Sequence, residues 1–117
     1  MCYKSFNSKK SWKDAEIFCQ NLGGHLPSIH NISENDFLTD LNPGWFWLGG
    51  TDQGQEGVWR WTDGSAFTFQ YWNTGEPNND GSGEHCAHKQ GDNDKWNDYV
   101  CTYPTLTFVC QKSKKHY

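Results

Sequence analysis

Five cysteines in 117 residues constrain this chain more than any other feature of its sequence. A short chain has much surface for little core, and thiols at this density are how such chains are stapled in an oxidising compartment. The expected setting is therefore extracellular, as a secreted protein or a receptor ectodomain. Two bridges among five cysteines can be drawn in about 15 ways. Zinc is the competing use of the thiols, but Cys2, Cys19, Cys86, Cys101 and Cys110 include no Cys-x-x-Cys pair, which argues against it. One thiol must be left over, and Cys2, at the edge, is expected to be the unpaired one. The length fits one domain over 1–117, and Met1 directly before Cys2 reads as the start of a piece excised from a longer chain. No apolar run is long enough to cross a bilayer, so no direct membrane insertion is expected.

The order of residues points to an α+β domain. Cys2–Phe6 has strand character, and Asn7–Lys10 reads as a polar turn. Ser11 can cap a helix, with Asp14 completing a capping box and Ala15, Phe18, Cys19 and Leu22 on one face; Gly23-Gly24 ends it. Ser33-Glu34-Asn35-Asp36 repeats the cap before Phe37, Leu38 and Leu41, and Asn42-Pro43-Gly44 stops that second helix. Asn31-Ile32-Ser33 is a glycosylation acceptor sequence. Trp45–Leu48 is a nearly continuous apolar run, as in a strand buried on both faces. Val58–Trp61 alternates, as do the rings Phe67, Phe69 and Tyr71. Aromatics make up 16% of the chain against 34% hydrophobic residues in all, so the core is expected to be built from a few large rings. Strand character returns at Glu84–Lys89, Tyr99–Cys101 and Leu106–Cys110, whereas 73–83 has no periodicity and reads as a loop that is either functional or disordered.

That loop opens the stretch that carries the charge. Between Glu76 and Asp98 six acids face two lysines, a balance of −4; the remaining residues carry eight acids and eight bases, so the stretch accounts for the whole net charge of −4. Clustered carboxylates and carboxamides are the oxygen donors that a hard cation takes, Ca²⁺ using about six to eight; composition alone fits a solvated acidic loop equally well. An acidic balance offers no footprint for nucleic acid.

Laid out in this order, the chain resembles a C-type lectin domain over nearly its full length. The resemblance rests on Ser11-Trp12 with Ala15 and Cys19, Trp47-Leu48-Gly49-Gly50, Gly57 before Trp59 and Trp61, Glu76-Pro77-Asn78, Cys86, Trp96-Asn97-Asp98, Cys101 and Cys110. It implies two helices flanking small antiparallel sheets, a long irregular calcium-binding loop, the disulfides Cys19–Cys110 and Cys86–Cys101, and a cis bond before Pro77. It also implies a primary Ca²⁺ on Glu76, Asn78, Glu84, Asn97 and Asp98, the same five residues binding sugar. Trp96 is expected to be a core anchor beneath the loop.

Glutamate and asparagine in this order resemble the mannose type, implying glycans with equatorial 3- and 4-hydroxyls such as mannose, N-acetylglucosamine, fucose or glucose, recognised on cells or microbes. A second Ca²⁺ would use Asp52, Glu56, Asn79 and Glu84, but His85 stands where the family usually has an acid. Weak monosaccharide affinity makes multivalent presentation the expected mode of use, with oligomerisation through regions outside this sequence or through Cys2.

Two rival readings stand beside this one. Glu76, Glu84 and Asp98 could serve as the carboxylates of a glycosidase, but they are better used as metal ligands, and no nucleophile motif is present; no enzymatic activity is expected. A module of the same fold that binds protein or ice is the alternative function. Asp92 and Asp94 are expected to lie in solvated loop outside the ligand set, and His25, His30, His88 and His116 at the surface.

Overall fold

A hydroxyl cap and a carboxamide cap start the helices of this chain, whose computed structural model describes residues 1–77, 84–91 and 93–113. A strand, β1 (Cys2–Lys10), leads to α1 (Trp12–Asn21), where Ser11 Oγ accepts from the Asp14 N–H at 3.3 Å. The polar segment Asn7–Lys10 thus extends the strand instead of turning, with a register shift between Phe6 and Lys10 that absorbs the irregularity. The buried face of α1 is Trp12, Ala15, Glu16 and Cys19. Leu22 falls off that face because the helix has already closed: its N–H bonds back to Cys19 O, Gly23 takes a φ of 93°, and Leu22 is left exposed.

The second helix, α2 (Ile32–Leu41), is capped two residues before the expected Ser33. The stronger cap is Asn31, whose Oδ1 accepts from the Glu34 N–H at 2.9 Å while Glu34 Oε1 accepts from the His30 N–H at 2.8 Å, a reciprocal arrangement. The asparagine of the glycosylation sequence is therefore the cap of a helix. Only Asn35 and Leu38 are buried on α2; Phe37 and Leu41 are exposed.

Among the described residues six strands form one mixed sheet, not separate antiparallel ones. After β2 (Phe46–Thr51), β3 (Arg60–Trp61), β4 (Glu84–Lys89) and β5 (Trp96–Val100), the last strand β6 (Leu106–Lys112) inserts between β1 and β2. The order is β1-β6-β2-β4-β5, with β3 on β2, and β2–β6 is the parallel pair. Phe46, Trp47 and Leu48 are fully buried as expected of a central strand, whereas Trp45 stays outside at 44% exposure. Gly49 is required there, since a Cβ would meet Leu26 O at 2.8 Å. The rings of 66–72 do not form a ladder strand. Phe67, Phe69, Tyr71 and Trp72 instead pack against the core cluster that contains Trp61 and Trp96, the isolated bridge Trp72–Trp96 holding the segment in place.

Cys19–Cys110 and Cys86–Cys101 are bonded, and Cys2 is unpaired and partly exposed. With sequence separations of 91 and 15, the chain-entropy model assigns about 4–5 and about 3 kcal/mol to the two links.

His88 corrects the surface expectation: it is 2% exposed, enclosed by Trp45, Trp47 and Tyr99, with a buried Nδ1 that has no hydrogen-bond partner among the described residues. His88 lies opposite Asn97 on the β4–β5 pair, and no local sequence signal distinguishes a buried strand histidine from a surface one. Desolvation lowers its pKa to about 4 from 6.5. The folded state therefore binds fewer protons than the unfolded one between these values, and stability falls as pH drops from 6.5 towards 4. The full loss is on the order of 3 kcal/mol at about 1.4 kcal/mol per pKa unit. A His88→Phe variant compared with the parent by urea denaturation, both calcium-free, should show a flatter stability profile in this window; parallel profiles would remove histidine from the explanation.

Asp94 also departs from a purely solvated residue. Its Oδ1 lies 3.5 Å from Lys89 Nζ, the ammonium of a fully buried side chain that also sits 5.1 Å from the centre of the Phe46 ring. Burial pulls the Lys89 pKa down and Asp94 opposes it.

Candidate functional site

The antiparallel β4–β5 pair carries three of the five residues assigned to the primary calcium. Glu84 opens β4, and Asn97 and Asp98 lie in β5, with Ala87 opposite Asp98 and His88 opposite Asn97. Asp98 is fully buried. Asn97 Oδ1 is also buried and has no hydrogen-bond partner among the described residues. Glu76 arrives on a segment tied to β5: the Asn73 N–H donates to Trp96 O at 2.8 Å, the Trp96 N–H donates to Tyr71 O at 2.9 Å, and the Glu76 N–H donates to Asn73 O at 2.9 Å. The Glu76–Pro77 peptide is cis. Asn78 and Asn79 lie outside the described residues.

The floor below this region is Trp96. It is fully buried, its Nε1 donates to Asn35 Oδ1 at 2.9 Å, and the rings of Trp61, Phe67, Phe69 and Trp72 surround it edge to face. Asn35 Nδ2 in turn donates to Asp94 O. The carboxamide on α2 thus joins the helix to the strand and to the turn preceding it.

The residues present suit a hard cation. A buried acceptor with no donor costs about 1–3 kcal/mol, and Asn97 Oδ1 is such an atom on the residue next to a buried carboxylate. Nearby negative charge is dense. Desolvation and then the Asp52 carboxylate push the Glu56 carboxyl up from its ordinary value, His85 pulls it back, and Asp98 adds to the rise.

Asp52, Glu56 and His85 form a second cluster. Their donor atoms lie within 4.8 Å of one another. His85 Nδ1 is 3.0 Å from Asp52 Oδ1 and 3.3 Å from Glu56 Oε1. These two acids of the second calcium set are therefore together, but an imidazole nitrogen sits between them, and nitrogen is a poor donor to Ca²⁺.

Two polar groupings were not apparent from sequence. Glu16, on the buried face of α1, accepts from the Leu26 N–H, Thr62 Oγ1 and Gln20 Nε2, and its Oε2 lies 2.7 Å from His25 Nδ1. Its helix position, one after Ala15 and three before Cys19, was the available signal. Ser28, His30, Asp63 and Ser65 also meet, but not as a catalytic relay. Ser28 Oγ donates directly to Asp63, so the imidazole does not stand between hydroxyl and acid. Burial works against ionisation of Asp63, yet the donors Ser28, Ser65 and Gln111 hold its pKa below the ordinary value.

Residues 8–112 match the family model of the lectin C-type domain. The chain belongs to the C-type lectin family. C-type lectins are not enzymes, and the fold described above is theirs. Among relatives, a C-type lectin of Micrurus corallinus is 38% identical over 95% of this chain and 76% of its own length. A C-type lectin mannose-binding isoform of Oxyuranus scutellatus is 38% identical over 94% and 75%. The human C-type lectin domain family 17, member A, is 41% identical over 95% of this chain but only 29% of its own length.

Two solved structures bracket the family's uses. The cow C-type carbohydrate-recognition domain of CD23, in the presence of a GlcNAc2Man3 oligosaccharide, superposes with a TM-score of 0.89 at 37% identity, covering 97% of this chain and 89% of the other. The herring type II antifreeze protein does so with a TM-score of 0.90 at 29% identity, covering 97% and 91%. Among the described residues no helix is long and apolar enough to cross a membrane.

Proposed function

We propose that this C-type lectin domain binds carbohydrate in a calcium-dependent manner, through Glu76, Asn78, Glu84, Asn97 and Asp98, with preference for equatorial 3- and 4-hydroxyls of the mannose type. The observation that carries the reading is Asn97 Oδ1, a buried acceptor without a hydrogen-bond donor among the described residues, on the residue beside the buried Asp98. Bound there, Ca²⁺ would supply positive charge for these oxygens and an electrophilic centre for two sugar hydroxyls.

The remaining chemistry belongs to the side chains. A carboxamide that gives its oxygen to a cation keeps an N–H₂ to donate, and an ionised carboxylate only accepts. Asn78 and Asn97 therefore donate to hydroxyl oxygens, while Glu76 and Glu84 accept hydroxyl protons. Acid and amide alternate, so each of two neighbouring hydroxyls finds one donor and one acceptor. Specificity follows from which partner stands where. The double change Glu76→Gln with Asn78→Asp interchanges carboxylate and carboxamide, and is expected to reduce mannose binding by about tenfold or more and raise galactose binding, as polar mismatch at a hydroxyl costs over 1 kcal/mol. Undiminished mannose affinity on a glycan array would defeat the assignment.

The reading as a whole is tested by the same array run with calcium and with chelator. Chelator-sensitive signals on mannose, fucose or N-acetylglucosamine glycans support it, and their absence overturns it. The mannose-binding isoform of Oxyuranus scutellatus and the oligosaccharide present with the cow domain support this direction. An extracellular place of action accords with the two disulfides.

The second reading, ice binding, is favoured by the antifreeze neighbours: besides the herring protein, a calcium-independent type II antifreeze protein superposes with a TM-score of 0.88 at 33% identity. Backbone similarity does not separate the two uses, and an ice-binding protein of this fold could retain all five donors. Thermal hysteresis in a sample that ignores every glycan would select ice.

A further inference from the structure

The cluster at the start of β4 is built from donors that do not match the primary site. Asp52 is 2% exposed and leaves β2 at its end, where Thr51 pairs with Cys86 of β4. The Asp52 N–H donates to His85 O at 3.1 Å, and Thr51 Oγ1 donates to the same carbonyl at 2.7 Å. These bonds fix the two backbones against each other. The Gly57 N–H donates to Asp52 Oδ2 at 2.9 Å, which turns the other oxygen, Oδ1, towards His85 Nδ1. Glu56 reaches the same nitrogen from the turn between them. Among the described residues, the ion pairs of Asp52 and Glu56 are both with His85.

We propose that Asp52, Glu56 and His85 form a site for a borderline divalent transition ion of the Zn²⁺ class, distinct in its choice of metal from the primary calcium site. Separations of 3.0 and 3.3 Å between nitrogen and oxygens match the roughly 3.3 Å that bonds of about 2.0–2.1 Å subtend at a tetrahedral ion. Donor chemistry decides which ion: imidazole suits zinc, whereas calcium wants about six to eight oxygens. Two carboxylates and a neutral imidazole balance a divalent charge, and water completes four-coordination. Binding requires the proton on Nε2, leaving the Nδ1 lone pair for the metal.

His25 supplies an internal contrast. It also touches an acid, but both oxygens of Glu16 already accept hydrogen bonds from Leu26, Thr62 and Gln20, and no third metal donor is present among the described residues.

The test is calorimetric titration of the whole chain with Zn²⁺ in millimolar Ca²⁺, paralleled by Co²⁺ absorption in the visible range. A single zinc ion that excess calcium does not displace is expected, with the intense cobalt bands of tetrahedral nitrogen–oxygen ligation. His85→Ala should weaken zinc by about 10- to 100-fold or more, the range that even outer-shell changes produce; His25→Ala should leave it unchanged. His85→Asp should lose zinc and gain a further calcium, which shows that the position chooses the metal in a folded protein. No zinc binding, displacement by calcium, or equal zinc affinity in His85→Ala would each overturn the proposal. The readouts need no sugar, so they stand or fall independently of the carbohydrate reading.

Discussion

Asp98→Asn is expected to abolish calcium-dependent retention on mannose-coated resin while leaving the domain folded. Asparagine has the shape of aspartate and keeps one carbonyl oxygen, so the fully buried position on β5 remains filled. The change removes one negative charge from a region whose negative charges already raise the Glu56 pKa. Without calcium, that removal relieves repulsion, and the melting temperature should shift by only a few degrees.

With calcium the two proteins separate. A ligand at about 100 times its Kd stabilises the native state by about 2.7 kcal/mol, on the order of 10 °C for a domain of this size. The parent should show that rise on calcium addition and the variant should not. Resin binding by Asp98→Asn, or an unchanged calcium shift, would remove Asp98 from the ligand set.

Trp96→Ala is expected to cost about 3–5 kcal/mol, the usual range for truncating a buried large ring, against a total of about 5–15 kcal/mol for a domain. Four rings lose the surface they pack on, and Asn35 Oδ1 loses its donor. Because the segment leading to Glu76 hangs from the Trp96 backbone, sugar affinity should fall together with stability. Trp96→Phe separates the contributions: it refills most of the volume but still leaves Asn35 without the indole N–H, at about 1–3 kcal/mol. Guanidinium denaturation of the three proteins checks the order parent, Phe, Ala. A Phe variant as stable as the parent would mean that the Asn35 bond contributes nothing.

Local rules wrote much of this molecule. Ser11 with Asp14 and the run Phe46–Leu48 could be read because capping and burial act over a few residues. Asn31 out-competed Ser33 because it caps the Glu34 N–H while Glu34 accepts from the His30 N–H, a choice between two plausible caps, two residues apart, that only geometry decides. The insertion of β6 beside β2 in parallel depends on contacts about sixty residues apart, which periodicity does not carry. In the site, the donor types could be read from sequence and the family resemblance gave them order. The nitrogen between Asp52 and Glu56 could be named as a substitution, but that it lies within reach of both acids came only from the fold. His88 was misplaced for a similar reason: the polarity of a histidine says nothing about three aromatic rings brought from elsewhere.

The pairing of β1 with β6 has a mechanical consequence. Cys2 lies opposite Lys112, so tension applied between these two points would peel the strands apart one hydrogen bond at a time. Peeling ends at the Cys19–Cys110 link, after which the load passes through a covalent bond. The segment enclosed by that bond contains Glu76, Glu84, Asn97 and Asp98 and carries no tension. A domain of this build could be stretched between these two points without load reaching the residues proposed to hold calcium.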